Sequence, residues 1–195
     1  MFVTIEGIEG SGKSTLLEGL AQRLRAGGRD VVVTREPGGT PFGDAVRAIF
    51  LDRSRSIDPL AEAFLVNAAR AQHVAEVILP ALQLERTVLC DRFTDSTIAY
   101  QGYGRGLALD LLRPLCETAT GGIQPDLVLL LDVPVAVARG RLRERSESDR
   151  IESEGDAFHE RVRAGFLELA RQPRHLVLDG TLPAERLVAQ AFQAL

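Results

Sequence analysis

Residues 7–14 read Gly7-Ile8-Glu9-Gly10-Ser11-Gly12-Lys13-Ser14, and this stretch decides the fold class. It is a full match to G-x-x-x-x-G-K-[ST], the phosphate-binding loop of many nucleotide-binding proteins. An apolar strand pattern over 2–6 precedes it and a helical pattern over 13–26 follows it. In that setting the backbone N–H groups of the loop and the positive end of the helix face a bound phosphate. The sequence therefore predicts a nucleoside triphosphate site.

The loop residues are expected to divide the contacts with Mg²⁺ and ATP between them. Lys13 should reach the β- and γ-phosphates and act in catalysis, and Ser14 should offer its hydroxyl to Mg²⁺. The role of Glu9 stays open between holding the acceptor's sugar and holding a metal-bound water. The predicted ATP site comprises Gly7, Glu9, Gly10, Ser11, Gly12, Lys13, Ser14 and Thr15.

Apolar runs alternate with helical patterns along the chain. The predicted strands are 2–6, 30–34, 87–90, 127–131 and 176–178, and the predicted helices are 13–26, 59–84, 134–144, 157–172 and 183–194. Continuous aliphatic runs are typical of parallel strands that are buried on both faces. The pattern predicts an α/β P-loop three-layer fold, with a five-stranded parallel sheet flanked by helices, in one domain over 1–195.

Composition narrows the class of protein. The net charge of −4 argues against nucleic-acid binding through bulk charge, and no apolar run approaches the ~20 residues that span a membrane. Cys90 and Cys116 lack a CxxC pattern and are expected to be reduced, and the three histidines lack metal-ligand spacing. The chain opens directly with a predicted strand, so we expect no signal peptide and a cytoplasmic protein.

Several nucleotide-binding classes lack their signatures here. The chain has no N-K-x-D guanine motif and neither the H-R-D nor the D-F-G motif of protein kinases. A small phosphotransferase fits best. A deoxynucleoside kinase, a broader nucleotide kinase and a P-loop regulatory module without turnover stay open as alternatives.

Four segments carry a resemblance to a known family. They are EGIEGSGKS at 6–14, TREPGGT at 34–40, DRFTDSTIAYQG at 91–102 and DRIE at 149–152. Their order and spacing closely resemble thymidylate kinases of the bacterial type, from Phe2 to about Leu169. The resemblance implies transfer of the γ-phosphate of Mg·ATP to dTMP, giving dTDP and ADP for dTTP synthesis, in a homodimer.

The resemblance also implies the acceptor site. Arg92 should bind the dTMP phosphate and act in catalysis, Phe64 should stack on thymine, and Arg70 should bind its carbonyl edge. Without the resemblance, Phe64 would be interpreted as a core residue. Asp91 is interpreted as a ligand of Mg²⁺ or water, or as the residue that orients Arg92. The expected substrate-binding residues are Glu36, Pro37, Phe64, Asn67, Arg70, Arg92, Ser96, Tyr100 and Gln101, with Tyr100 packed under the sugar and Gln101 against the base.

An Arg-rich stretch, RGRLRERSESDRIESEG at 139–155, is expected to include a mobile lid over about 142–155. The phosphate loop itself contains no arginine, and the resemblance then implies that the lid supplies the catalytic cation. The DRIE match favours Arg150, with Arg145 as the competing candidate. The alternative is a solvated helix end followed by a surface loop. No general base is expected, because the phosphate of a nucleoside monophosphate is largely dianionic at pH 7.

Overall fold

A five-stranded parallel sheet forms the centre of the chain, in a computed structural model that describes residues 1–143 and 149–195. The strand order is β2-β3-β1-β4-β5. The strands are β1 (Phe2–Glu6), β2 (Val31–Arg35), β3 (Thr87–Asp91), β4 (Leu127–Asp132) and β5 (His175–Asp179). All pairings are parallel, which confirms the predicted sheet.

Helices connect the strands and cover both faces of the sheet. They are α1 (Lys13–Ala26), α2 (Pro41–Leu51), α3 (Pro59–His73), α4 (Leu79–Gln83), α5 (Thr94–Thr97), α6 (Leu109–Thr120), α7 (Val135–Arg143), α8 (Asp156–Leu169) and α9 (Ala184–Gln193). Two π-helical segments, Val74–Ile78 and Ile98–Gly104, continue α3 and α5. Among the described residues, none of these helices is both long and apolar enough to cross a membrane.

The two sheet faces carry separate apolar clusters, which gives the three layers. On one face α1 and α9 pack through Leu16, Leu20 and Leu187 against the strands. On the other face Tyr100 and Phe166 pack with Leu130. Burial on both sides explains why the strands read as unbroken aliphatic runs.

The start of α3 follows from local chemistry. The Asp58 carboxylate accepts a hydrogen bond from the backbone N–H of Leu60 at 2.8 Å, and Pro59 occupies the first helical position. An acidic cap supplies an acceptor for an N–H that has no helical partner, and proline lacks an N–H that would need one. This helix carries several of the polar side chains described below.

Strand order places the phosphate loop beside the segment that follows β3. The central strand β1 pairs with β3 so that Ile5 lies opposite Asp91. Because parallel strands end at the same sheet edge, the loop after Glu6 and the Asp91-Arg92 pair lie side by side. This edge is where open α/β sheets place their ligands.

Candidate active site

A cavity of about 190 Å³ lies at this edge of the sheet. Its first wall is formed by the phosphate loop and its opposite wall by residues that follow β2 and β3. Asp149, Ile151 and Glu152 of the Arg-rich stretch also line it. The predicted residues that line it are Glu9, Gly10, Gly12, Lys13, Ser14, Thr15, Glu36, Pro37, Arg70, Asp91, Arg92, Ser96, Tyr100 and Gln101. The donor and acceptor sides therefore share one space.

The phosphate loop needs its glycines for steric reasons. Gly7 has φ +141°, and a Cβ there would lie 2.6 Å from the carbonyl oxygen of Leu131. Lys13 curls back under the loop, where its Nζ donates to the carbonyls of Gly7 at 3.0 Å and Ile8 at 2.9 Å. Burial, helped by the nearby positive charge of Arg92, lowers the pKa of Lys13 to about 8.

Glu9 turns toward the acceptor wall. Its Oε1 accepts from Arg92 Nη2 at 2.8 Å and from the Tyr100 hydroxyl at 2.7 Å. Its Oε2 lies 3.6 Å from Nδ1 of His159, a buried residue of α8. Burial acts to raise the pKa of Glu9, but Arg92 and Lys13 outweigh it and the pKa is lowered. The side chain is thus an anion that ties the loop to the acceptor wall.

Arg92 is held from several sides directly after β3. Its Nη1 donates to the Gly7 carbonyl and to Ser96 Oγ, both at 3.1 Å, and its guanidinium lies 4.9 Å from the centre of the Tyr100 ring. Its backbone has φ +72°, a left-handed conformation that costs energy for a residue with a side chain. Although burial acts to lower it, Tyr100 and Glu9 raise the pKa of Arg92 above its ordinary value.

Glu6 supports the same arginine from below, a role that the sequence did not suggest. Its carboxylate accepts from the Phe93 backbone N–H at 2.8 Å and from the Ser96 hydroxyl at 2.6 Å. Burial, together with the charge of Asp95, raises the pKa of Glu6 to about 7. Ser96 therefore links a buried carboxyl group to the guanidinium of Arg92.

Arg70 is almost fully buried, and its hydrogen bonds fix its plane. Its Nε donates to Glu36 Oε2 at 2.7 Å, and its Nη2 donates to the Phe93 carbonyl at 2.9 Å. Its Nη1 donates to Asn67 Oδ1 at 2.9 Å and to Thr97 Oγ1 at 3.0 Å. A guanidinium has five N–H groups. Within the described residues these bonds leave one N–H of Nη2 for the cavity that Arg70 lines.

The comparisons with known proteins agree with this arrangement. A sequence model described as thymidylate kinase matches residues 5–191. The chain belongs to the thymidylate kinase family. It is 51% identical to the thymidylate kinase of Deinococcus radiodurans, over 100% of this chain and 96% of that protein. It is 54% identical to that of Geobacter sulfurreducens, over 92% of this chain and 88% of that protein. It is 47% identical to that of Thermosynechococcus vestitus, over 99% of this chain and 85% of that protein.

In this thymidylate kinase family member, Phe64, the expected base-stacking residue, lies away from the cavity. Phe64 is 53% exposed and does not line the cavity, whereas Val66 is 7% exposed and does. Two residues along a helix are about 200° apart around its axis, so Phe64 and Val66 face opposite directions. Phe50 of α2 also lines the cavity, and with Val66 it supplies the apolar surface expected from Phe64.

Asn67, another expected substrate-binding residue, is buried and does not line the cavity. Its Nδ2 donates to the Ala63 carbonyl at 2.8 Å while its Oδ1 accepts from Arg70. Asn67 therefore positions the arginine rather than contacting a substrate.

The Arg-rich stretch places its arginines in different surroundings. Arg150 does not line the cavity; its Nε donates to the Phe50 carbonyl at 2.8 Å and its Nη1 to Glu62. In this arrangement the guanidinium of Arg150, the residue expected to contact the transferring phosphoryl group, is bound to α2 and α3. Arg145 lies outside the described residues. Arg141, which the sequence did not single out, donates to the carbonyls of Gly10 and Ser11, both at 3.3 Å.

Arg47 is another cavity residue that sequence reasoning missed. Its Nη1 donates to the Pro37 carbonyl at 3.0 Å, and it lines the acceptor side. Burial, and then the charges of Arg35 and Arg92, lower its pKa. The sequence could have indicated this role only by placing Arg47 on helix α2, and that helix was not predicted.

Two oxygen ligands expected for a metal lie at the cavity. Ser14 and Asp91 both line it, and Asp91 Oδ1 is buried without a hydrogen-bond partner among the described residues. A buried carboxylate oxygen with no donor fits a hard cation such as Mg²⁺.

A separate group of side chains has possible metal-ligand atoms within 4.8 Å of one another. It consists of Glu36, His73 and Cys90. Glu36 already binds Arg70, and the His73 ring joins Glu36 at 2.9 Å to Thr34 Oγ1 at 2.6 Å. Burial raises the pKa of the Cys90 thiol, which disfavours the thiolate that a metal would need. This cluster is a hydrogen-bonded core behind the acceptor wall.

Proposed function

We propose that this chain is an ATP-dependent thymidylate kinase, which transfers the γ-phosphoryl group of ATP to the 5′-phosphate of dTMP. The products are dTDP and ADP, and the step serves dTTP synthesis. The observation that carries the proposal is the single cavity, where Lys13 of the phosphate loop faces Arg92 and Arg70. Relatives named thymidylate kinase are about half identical over the whole chain, which supports the same conclusion.

The acceptor wall gives each part of dTMP a partner. Arg92 would bind the phosphate through the Nε edge of its guanidinium, since its Nη atoms hold the protein. Glu9 and Tyr100 would flank the deoxyribose. The remaining N–H of Arg70 would donate to a base carbonyl, with Gln101 beside it. Val66 and Phe50 would contact the flat face of the base.

The chemistry requires positioning and charge neutralisation rather than a base. The second pKa of a phosphate monoester is about 6, so the nucleophilic oxygen of dTMP is already deprotonated at pH 7. Lys13 would hold the β- and γ-phosphates, and Arg92 would keep the acceptor phosphate in line with them. Ser14 and Asp91 would hold Mg²⁺, which when bound neutralises charge on the ATP phosphates.

The Arg-rich segment over about 142–155 is proposed as the lid of a single kinase domain over 1–195. We propose that the lid contacts the transferring phosphoryl group through Arg150 or Arg145, and that Arg150 also anchors the lid on Glu62 and α2. Arg141 contacts two carbonyls of the phosphate loop and would lie near the bound triphosphate.

A homodimer and a cytoplasmic location complete the proposal. Phe64 and Leu60 of α3, and Phe42 and Ile49 of α2, are large apolar side chains that are each at least a third exposed. A partner subunit on α2 and α3 would cover them. Light scattering after size-exclusion chromatography tests this, with a mass of one chain as the contradicting result. ATP and dTMP are cytoplasmic metabolites, and neither nucleic acid nor a membrane is an expected partner.

A coupled assay of ADP release with a panel of acceptors tests the function. We expect the highest kcat/KM with dTMP, lower values with dUMP and dGMP, and no turnover with thymidine, which lacks the nucleophilic phosphate. Faster turnover of thymidine would indicate a deoxynucleoside kinase. Nucleotide binding without turnover of any acceptor would indicate a regulatory module.

A further inference from the structure

A buried carboxylate behind the acceptor wall binds more than the lid residue Arg150. Glu62, in the first turn of α3, has no exposed surface. Its Oε2 accepts from Gln101 Nε2 and from Arg105 Nε, both at 3.2 Å. Its Oε1 lies 3.1 Å from Arg105 Nη2 and also binds Arg150 Nη1. The carboxylate thus joins two arginines to a glutamine that lines the cavity.

The chemistry of these partners determines how the Gln101 amide is turned. The Glu62 carboxylate pairs with two guanidinium groups, and a carboxylate in such ion pairs accepts hydrogen bonds and donates none. Gln101 must therefore present Nε2 to Glu62, because its Oε1 would meet another acceptor there. Amide orientation is often ambiguous, but an acceptor-only neighbour leaves a single choice.

We propose that Glu62 is a positioning residue that sets the base specificity of the acceptor site by fixing the amide of Gln101. With Nε2 bound to Glu62, Oε1 is left to accept a hydrogen bond from the base. Arg70 offers its one remaining N–H to the same cavity. The inference rests on the proposed function and adds to it the residue that orients the base contact.

A donor beside an acceptor selects one kind of pyrimidine edge. Thymine and uracil present a carbonyl oxygen next to N3–H, which matches the N–H of Arg70 and Oε1 of Gln101. Cytosine presents an amino group next to an unprotonated N3, which is the reverse pattern. A site whose buried polar groups stay unpaired with the wrong ligand rejects that ligand strongly. Glu62 would therefore favour dTMP and dUMP over dCMP.

The variant Glu62→Gln tests this role directly. The oxygen of the new amide should stay with the arginines that crowd Oε1, which places its NH₂ group opposite Gln101. Gln101 would then turn its Oε1 toward residue 62 and its Nε2 toward the cavity. We expect kcat/KM for dTMP to fall about tenfold, as for loss of one oriented hydrogen bond, with KM for ATP unchanged.

The ratios of kcat/KM between substrates distinguish this role from a general loosening of the acceptor site. The preference for dTMP over dCMP should fall about tenfold or more, while the preference for dTMP over dUMP should stay unchanged, since both bases carry N3–H. Glu168→Gln is the matched control, because Glu168 pairs with Arg171 on the exposed surface of α8. That control should leave every ratio unchanged.

A second variant guards against failure of Glu62→Gln to fold. Gln101→Met keeps the size of the side chain and removes both hydrogen bonds, so it should lose the preference over dCMP to a similar extent. The double variant should lose no more than Gln101→Met alone if Glu62 acts through Gln101. An unchanged preference in either single variant, or multiplicative losses in the double variant, would overturn the inference. A wild-type chain that does not phosphorylate dTMP would instead overturn the proposed function, and this inference with it.

Discussion

Replacing Arg92 by Lys tests the acceptor wall at its most constrained residue. The guanidinium donates to the Gly7 carbonyl at 3.1 Å, to Ser96 Oγ at 3.1 Å and to Glu9 Oε1 at 2.8 Å. Its Nε makes no hydrogen bond within the described residues and is the edge available to a phosphate. An ammonium has three donors and no plane, so it cannot keep these contacts and also present a fork.

The expected loss of kcat/KM in Arg92→Lys follows from the contacts that are lost. A hydrogen bond to a charged group is worth about 1.5–3 kcal/mol, and one such bond to the acceptor phosphate disappears. Partial loss of the protein contacts adds to this, so we expect about 2–3 kcal/mol. That corresponds to a fall of about 30- to 150-fold in kcat/KM for dTMP. The φ of +72° does not alter the comparison, because Arg and Lys bear the same backbone strain.

The assay separates the two substrates. KM and kcat are measured with dTMP varied at saturating ATP and then with ATP varied at saturating dTMP, and calorimetry gives the two affinities. The effect on ATP should stay within about threefold. Arg171→Lys is the control, since Arg171 is 77% exposed and pairs only with Glu168 among the described residues. Equal losses for dTMP and ATP, or no loss for dTMP, would refute the assigned role of Arg92.

Three further predictions follow from the same geometry. Lys13→Ala should lower kcat at least about 100-fold in steady-state assays while the melting temperature shows a folded protein, and near-normal turnover would contradict the assignment. Arg150→Ala should lower kcat about tenfold with little change in dTMP affinity by calorimetry; wild-type kcat would show that the Glu62 anchor does not matter for the lid. The pKa of Glu6 is raised from 4.5 to about 7. Between these two pH values the folded chain keeps a proton on Glu6 that the unfolded chain has lost, so the free energy of unfolding falls as the pH rises from 4.5 to about 7. Urea unfolding at pH 5 and pH 8 measures this fall, and in Glu6→Gln it should be smaller than in the wild type by up to about 3 kcal/mol. An equal fall in the wild type and the variant would contradict the prediction.

The parts predicted from the sequence are those that depend on nearby residues. The structure has β1 and α1 with the predicted bounds, because the loop between them has a fixed spacing of glycine and lysine. Helix α2 was missed although local signals exist. Thr40 Oγ1 accepts from the Gly43 N–H at 2.9 Å and Pro41 begins the helix. The glycines of the preceding TREPGGT segment lead directly into this capped helix.

The parts that could not be predicted depend on helical register and on distant partners. The resemblance implied Phe64 as the base-stacking side chain, yet its position around α3 turns it to the surface and turns Val66 to the cavity. Glu62 looks like an ordinary acid in the first turn of a helix. Its partners Arg105 and Arg150 lie 43 and 88 residues away in the chain. No local pattern reports such contacts, which only the packed fold brings together.

Arg70, which is buried, and Arg92, which is partly buried, place two positive charges on the acceptor wall. Arg70 binds Glu36 and Arg92 binds Glu9, so each cation has a carboxylate at 2.7–2.8 Å before any substrate arrives. Without those partners, cations gathered at one wall would repel one another in a medium that screens poorly. The same pairing makes the wall less attractive to a phosphate by charge alone. Recognition must then depend on the direction of the few N–H groups that the carboxylates leave free, which is why an arginine-to-lysine change should be far from conservative here.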